Sequence, residues 1–306
     1  MGKSSASGRL RFLFQHSIMY LARNNNNRCE HIRGLALNET NIQIKEREHQ
    51  EDLARLRGLR PIDDDFMRCI FRENIPLAQL VLRILTGKND LIITQLETQM
   101  DMKRLVGARS ICLDAYGTDS LGKKYDLEIQ RADRGARKHR ARYHASCMDV
   151  ENLDAGQDFE ELPETYTIFL TENDVFKMGK ALYQVERINL GTGELFDDGE
   201  HILYVNGEYR DDTDLGKLMH DFSSWDPEDM YFDLMKSVTR YYKEDPKGVE
   251  IMCRAFEETR NEGALSKAIA IVKNLLQEGS MSLEVISKVT EVPLEKVKEI
   301  AEMKTV

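Results

Sequence analysis

The sequence lacks the features that mark several large classes of protein. None of its 306 residues belongs to an uninterrupted apolar run of about 18 residues, the length that a membrane span needs. Its five cysteines are isolated and odd in number, which argues against a disulfide framework and favours a reducing, cytoplasmic setting. It contains neither a GxxxxGK[ST] nor a GxGxxG motif, so we expect no nucleotide-driven chemistry. The seven histidines show no HExxH spacing, so we expect no zinc site.

Composition describes a globular chain whose charge is unevenly distributed. Hydrophobic residues make up 41% and charged residues 31%, and the formal net charge is −10. Residues 101–150 nevertheless contain eleven Lys and Arg against seven Asp and Glu. A basic segment in an acidic protein is a candidate surface for binding phosphates, and a solvated helix face is the alternative.

Patterning divides the chain into four predicted segments. Residues 1–57 contain a four-Asn tract and alternating charges, which indicate a flexible or loosely helical N-terminal extension. Residues 58–180 show the order α–α–β–β–β–α–β, which predicts an α/β core with a mixed sheet flanked by helices. Residues 181–245 read as a β-hairpin and helical extension of that core, and residues 246–306 as a helical tail.

Within the core, the apolar spacing predicts strands over 91–97, 109–118, 124–130 and 165–170 and a basic helix over 138–153. The end of the tail, residues 282–302, has the spacing of a helix-turn-helix, with Pro293 at the start of its second helix. That second helix balances its lysines with glutamates, which is a poor match for a DNA groove. We therefore expect a packing hairpin or a dimer contact there, in preference to a helix that reads bases.

Chemistry is concentrated in the segment Ile111–Gln130. Strict alternation places Asp114 on one face of its strand, and Asp126, Glu128 and Gln130 together on one face of the next. Asp114 and Glu128 are equidistant from Leu121, so a hairpin centred there sets them opposite each other, with Cβ atoms roughly 4.5–5.5 Å apart. Carboxylates this close repel unless a cation lies between them or one is protonated, and Mg²⁺ accepts such oxygen ligands. The alternative is that the two acids face solvent on adjacent strands by chance and have no function.

The pattern of an Asp, a hairpin, Glu-x-Gln in an apolar strand and then a basic helix resembles the PD-(D/E)XK nuclease superfamily. It is most similar to the bacterial PD-(D/E)XK nuclease family transposases, which are related to the recombination-promoting nucleases. The resemblance covers roughly residues 60–260. It is carried by RPIDDDFMRCIFREN (60–74), DLEIQRAD (126–133), RARYHASCMD (140–149) and FLTENDVF (169–176).

This resemblance implies a restriction-endonuclease-like fold and hydrolysis of DNA phosphodiesters with Mg²⁺, or Mn²⁺, as the cofactor. Asp114 matches the first metal-binding Asp and Glu128 the acid that shares the ion, with the Ile129 carbonyl as a further ligand. Gln130 stands where the superfamily usually has Lys, in the Glu-x-Gln form expected of this branch. Because an amide carries no charge, Gln130 can orient water or phosphate but cannot steady a developing negative charge as Lys does.

Basic residues directly after the motif are expected to hold the DNA backbone, which carries no sequence information. They are Arg131, Arg134, Arg137, Lys138, Arg140 and Arg142. Two additional acids are candidates for the site. Asp65 is either a helix cap, the favoured interpretation, or an upstream acid, and Asp126 shares the face of Glu128 but is favoured to lie outside the metal site.

The leading hypothesis is a Mg²⁺-dependent DNA endonuclease of the transposase or recombination type. Its partner is DNA, no membrane is involved, and the C-terminal helices are expected to support a homo-oligomer. One alternative is a catalytically weak DNA-binding or assembly protein derived from such a nuclease. Another is a protein-interaction module that binds partners through its acidic helical tail. Metal binding at Asp114 and Glu128 separates the enzyme from the scaffold.

Overall fold

The computed structural model describes residues 43–102, 111–131 and 135–302. The chain divides into two compact units, Met1–Ala54 and Arg55–Val306. In the first unit, residues 43–54 are helical. Most of the predicted N-terminal extension, residues 1–42, lies outside the described residues, and so does Arg134 among the predicted DNA contacts. The predicted division of the chain at residues 58, 181 and 246 stays a prediction.

Within the described residues, the second unit contains six strands and eight helices in addition to the helical residues 55–58. The strands are β1 (Ile93–Met102), β2 (Ile111–Asp119), β3 (Lys124–Gln130), β4 (Thr165–Thr171), β5 (Leu182–Val185) and β6 (Glu200–Asn206). The helices are α1 (Asp64–Phe71), α2 (Ile75–Thr86), α3 (Lys138–Asn152), α4 (Asp214–Ser223), α5 (Asp233–Glu244), α6 (Pro246–Glu278), α7 (Leu283–Thr290) and α8 (Leu294–Glu302). Short 3₁₀ turns cover Phe159–Glu161 and Pro227–Asp229.

Local sequence explains where the first helices begin and end. The Asn74 side chain accepts a hydrogen bond from the Leu77 N–H, and Pro76 stands in the first turn of α2, where its missing N–H costs nothing. Gly87, with φ 71°, ends this helix in the left-handed conformation that glycine adopts readily. Helix α1 buries Phe66 and Ile70 in the principal hydrophobic core of the unit, together with residues of β3 and β4.

The six strands form one mixed sheet in the order β1-β2-β3-β4-β6-β5. Strands β1, β2 and β3 pair antiparallel, β3–β4 and β4–β6 pair parallel, and β5 pairs antiparallel with β6. A mixed sheet with flanking helices and a helical C-terminal region confirms the predicted fold class. Strands β5 and β6 therefore lie in the same sheet as the strands of the predicted core.

Strand β1 is longer than predicted. It ends at Met102, so the predicted end at residue 97 is wrong by five residues. In the extra residues, Met100 and Met102 alternate with the polar Gln99 and Asp101, so the strand pattern continues beyond residue 97. Met102 is buried, and Met100 packs against the same small cluster. Their backbone pairs with β2 as far as Met102 opposite Ile111, so both this pairing and the burial of Met102 extend the strand.

The C-terminal helices pack on one another. Val272 of α6, Ile286 of α7 and Val297 of α8 are buried in a small separate core. Ser282 begins α7 by accepting a hydrogen bond from the Val285 N–H, and Gly279, with φ 66°, ends α6. The predicted helix pair at the end of the tail thus forms a packing hairpin within the chain. Among the residues that the structure describes, no helix is both long and apolar enough to cross a bilayer.

Candidate active site

The hairpin between β2 and β3 brings two acidic side chains together. The observed register sets Ala115 opposite Leu127 and Tyr116 opposite Asp126, and one more step sets Asp114 opposite Glu128. The hairpin is thus centred on Leu121, as predicted. The Asp114 N–H donates to Glu128 Oε1 at 3.1 Å, and the Ile129 N–H donates to Asp114 Oδ2 at 3.1 Å.

Asp114 lines a cavity of about 380 Å³ together with Gln130 and Arg140. Its Oδ1 accepts a hydrogen bond of 3.4 Å from the side chain of Gln99 in β1. Gln99 has φ 57°, in the left-handed region that costs a non-glycine residue roughly 1–2 kcal/mol. A strained backbone beside an acid at the mouth of a cavity is the arrangement that functional sites retain.

Glu128 is completely buried, and both of its oxygens are bonded. Beyond the Asp114 N–H on Oε1, Oε2 accepts from Arg140 Nη2 at 2.7 Å and from Gln130 Nε2 at 3.3 Å. Gly135 leaves the room that the Gln130 amide occupies, because a Cβ at that position would lie 1.7 Å from Gln130 Oε1. The residue in the place of the motif Lys is therefore fixed against the motif Glu.

A second contact network lies behind Glu128, between the sheet and α3. Asp126 is completely buried, and its Oδ2 lies 3.0 Å from Nδ1 of the buried His144. Arg140 Nε donates to His144 Nε2 at 3.0 Å. Because a guanidinium has only donors, His144 Nε2 accepts, so Nδ1 carries the proton and donates to Asp126. Burial lowers the pKa of His144, in keeping with this neutral ring.

These carboxyl groups are short of positive charge. Burial, followed by the neighbouring Asp126 and Asp114, raises the pKa of Glu128 to about 8. Burial and the charge of Asp114 raise the pKa of Asp126 well above its ordinary value. Burial also raises the pKa of Asp114, against the hydrogen bond from the Ile129 N–H. Asp126 Oδ1, moreover, is buried without a hydrogen-bond partner. An orphaned acceptor among acids that resist ionising fits a site for a hard divalent cation.

Two sets of ligands share Glu128. In one set, Asp126, Glu128 and His144 each offer an atom, and these atoms lie within 4.8 Å of one another. All three residues are buried, and both ring nitrogens of His144 are already bonded. The other set is the predicted one, of Asp114, Glu128 and the Ile129 carbonyl, and Asp114 faces the cavity. The two sets thus differ in access, because Asp114 and Ile129 line the cavity and Asp126 and His144 do not.

The predicted DNA-binding residues fall into two groups. Arg131, Arg137, Lys138 and Arg142 are exposed at the end of the sheet where β3 stops. Arg131 forms ion pairs with Asp63 and Glu172, and Lys138 lies over the Phe176 ring. Arg140 instead donates hydrogen bonds to Glu128 and His144, so its guanidinium is turned toward the site.

The favoured interpretation of Asp65 as a helix cap is wrong, because Asp63 is the N-cap of α1 and Asp65 lies inside its first turn. Asp65 forms an ion pair with Arg55 and accepts a hydrogen bond from Thr259 at 3.1 Å. Its neighbour Asp64 lines the cavity with Asp114. Residues that sequence reasoning missed are Asp64, Arg68, Gln99 and His144. Three of them carry a usable signal, because Asp64 and Arg68 are four residues apart and share a helix face, and His144 shares one with Arg140 in the same way. For Gln99 no such signal exists.

The family comparison covers this site. Residues 73–225, half of the chain, match the family model described as PD-(D/E)XK nuclease family transposase. The matched region contains Asp114, Glu128 and Gln130, and it spans all six strands of the sheet. No curated protein and no solved structure matches the chain. The matched length, together with the mixed sheet and the Asp and Glu-x-Gln pair at its hairpin, establishes that the chain belongs to the PD-(D/E)XK nuclease family transposases.

Proposed function

We propose that the protein is a Mg²⁺-dependent DNA endonuclease of the transposase or recombination type. Asp114 and Glu128 hold the ion, with the Ile129 carbonyl as a further ligand. The observation that carries this proposal is the group of carboxyl groups short of countercharge, one of which, Asp114, lines an open cavity. Acids that have few positive partners and lie beside a cavity are typical of functional sites. At a position without a function, such acids would only lower the stability of the fold.

The acids fit a hard divalent cation, Mg²⁺ or Mn²⁺, through their oxygen ligands. When bound, such an ion lowers the pKa of a coordinated water and stabilises charge on the scissile phosphate. Asp114 and Glu128 supply the negative charge that attracts the ion. Gln130, fixed by Glu128 and Gly135, presents a neutral amide at the cavity, where it orients water or a phosphate oxygen.

Residues of α3 support the acids. Asp126 holds the His144 ring, and the ring accepts from Arg140, so the Arg140 guanidinium is positioned on Glu128 Oε2. This pair partly neutralises Glu128 while no cation is bound, which reduces the cost of keeping that carboxylate buried. The exposed Arg137, Lys138 and Arg142 extend from the same helix end toward solvent, where they can bind DNA phosphates.

A second candidate is a catalytically weak DNA-binding or assembly protein built on the same fold. The observation that favours it is the 2.7 Å ion pair of Arg140 with Glu128, since a guanidinium already occupies one metal-binding oxygen. Gln130 in the place of Lys points the same way. Metal affinity separates the two candidates, because the enzyme must exchange this ion pair for the cation and the scaffold need not.

The test is nicking of supercoiled plasmid by the purified full chain, with Mg²⁺, with Mn²⁺ and with EDTA. We expect nicked and linear products with either metal and none with EDTA. Calorimetric titration with Mn²⁺ measures binding in parallel. A protein that binds DNA but neither binds Mn²⁺ nor cuts the plasmid would refute the enzyme and establish the scaffold.

A further inference from the structure

Arg68, in helix α1, differs from the other arginines around the site. It lines the 380 Å³ cavity that contains Asp114 and Gln130, and also an adjoining cavity of about 570 Å³. Its Nε is buried and has no hydrogen-bond partner. Within the described part of the chain, it forms no ion pair with any carboxylate.

Each of the other arginines that line these two cavities has an acidic partner. Arg55 pairs with Asp65, Arg60 with Asp63 and Glu172, Arg131 with the same two acids, and Arg140 with Glu128. An unpaired buried donor is costly, so a fold that retains one at a cavity wall is suited to a ligand that completes it. The fork of a guanidinium matches an anion with several oxygens, above all a phosphate.

Arg68 also lines the same cavity as Gln130, the motif position that lacks a positive charge. Gln130 contributes no positive charge to the cavity, whereas the Lys usual at that position would. Arg68 faces the same cavity from α1 and is near enough to Asp114 that its charge opposes the rise in the pKa of that carboxyl. Arg68 precedes the residues that the family model matches, so the motif itself does not include it.

We propose that Arg68 binds the scissile phosphate of DNA and supplies the positive charge that Gln130 does not. The inference rests on the proposed nuclease function and names a further residue for the same reaction. In that hydrolysis, a water oxygen bonds to phosphorus, the bond from phosphorus to the departing sugar oxygen breaks, and a water proton passes to that oxygen through solvent. Arg68 exchanges no proton. It donates N–H groups to the non-bridging oxygens, whose charge grows in the transition state.

The experiment compares Arg68→Gln with Arg72→Gln in the full chain. Arg72 is the matched control, because it is exposed at the end of the same helix and lines neither cavity. We expect Arg68→Gln to lower Mg²⁺-dependent cleavage about 100-fold, as loss of one preorganised donor does, and Arg72→Gln to leave it unchanged. Mn²⁺ affinity and the melting temperature should match wild type in both variants.

Three further readouts sharpen the comparison, and the first of them does not depend on cleavage. In Ca²⁺ or EDTA, Arg68→Gln should reduce the salt dependence of binding to a short DNA duplex by the equivalent of about one phosphate. In the double variant Arg68→Gln with Gln130→Lys, the new ammonium restores a cation to the cavity, and we expect cleavage to recover at least tenfold over Arg68→Gln. Arg68→Lys, which keeps a charge at the original position, should retain more activity than Arg68→Gln.

Failure of this inference differs from failure of the proposed function. If the wild type cuts DNA and Arg68→Gln cuts and binds as Arg72→Gln does, the role of Arg68 is refuted and the nuclease stands. If the wild type binds DNA without cutting it, and Arg68→Gln lowers the salt dependence, the nuclease is refuted and phosphate binding by Arg68 stands. If the wild type binds no DNA, both proposals are refuted.

Discussion

Acidic side chains lie at both ends of strand β3, and their surroundings differ. At the start of β3, Glu164 is bonded by Lys123, Tyr166 and Lys88. Burial raises its pKa, but these partners outweigh burial and lower the pKa to about 2. At the other end, Glu128 has one ion-pair partner and two acidic neighbours, and its pKa is raised to about 8.

The difference separates an acid that stabilises the fold from acids that are available for chemistry. Glu164 gains more from its cations than it loses on burial, so it contributes to stability. Asp114, Asp126 and Glu128 lose on burial and regain little, so the fold is less stable with them charged than with neutral side chains. A protein keeps such destabilising acids where a bound ligand supplies the missing positive charge.

We call the Glu128 end of β3 the uncompensated end, because its acids have few positive partners, and the Glu164 end the compensated end. The largest effect is expected from Asp114→Asn, which removes one negative charge from the uncompensated end and keeps the side-chain shape. Mg²⁺-dependent plasmid cleavage should fall more than about 100-fold, since changes to residues that only support metal ligands already cost about 10–100-fold. Asp212→Asn, at an exposed loop position, is the matched control and should cut as wild type does. Equal loss in both variants would remove Asp114 from the site.

DNA affinity tests which end of β3 meets the substrate. The triple variant Arg137→Gln, Lys138→Gln, Arg142→Gln should bind all duplex sequences more weakly and flatten the salt dependence by about 0.9 for each phosphate that is no longer neutralised. The corresponding change at the compensated end, Lys88→Gln with Lys123→Gln, should leave the salt dependence as it is. Fluorescence anisotropy over a range of NaCl concentrations measures both, and identical slopes in the two variants would contradict this placement.

At the compensated end, Glu164→Gln should lower stability at neutral pH by about 1 kcal/mol, a modest value because partly exposed ion pairs are screened by solvent. The pKa of Glu164 is lowered to about 2, so its contribution is present above the ordinary glutamate range and is lost as pH falls toward 2. The difference in melting temperature between wild type and variant should thus be about 2–4 °C at pH 7 and shrink in acid. A constant difference across this range would show that the lost stability is not electrostatic.

Part of this comparison could be predicted from the sequence. Alternation of apolar and polar residues in β2 and β3 depends on backbone geometry alone, so the hairpin centre at Leu121 and the opposition of Asp114 and Glu128 followed from residue order. The mixed sheet with flanking helices followed from the order of the elements.

The rest depends on how distant elements pack, which residue spacing does not encode. Arg140 and His144 share a helix face, but their contacts with Glu128 and Asp126 are set by how α3 packs on the sheet. The same holds for Arg68, whose cavity is shared by α1, β2 and β3.

The final prediction is that replacing a glutamate by glutamine changes the stability of the fold in opposite directions at the two ends of β3. Glu128→Gln keeps the side-chain shape and an oxygen that accepts from Arg140, and it removes a completely buried charge. It also takes away the acceptor of the Asp114 N–H, a loss that we expect to be smaller than the gain from removing the charge. In EDTA and above pH 8, where Glu128 is ionised, this variant should be more stable than wild type by on the order of 1 kcal/mol, a rise of about 2–4 °C.

Saturating Mg²⁺ should then raise the melting temperature of wild type, since a ligand that binds only the folded state stabilises it, and should leave Glu128→Gln where it was. Glu164→Gln is the control, because it should be destabilised in EDTA and should still respond to Mg²⁺ as wild type does. Differential scanning calorimetry of the three proteins, with and without the metal, measures all of these shifts. If Glu128→Gln melts below wild type in EDTA, the ion pair with Arg140 stabilises the fold, and the contrast between the two ends of β3 fails.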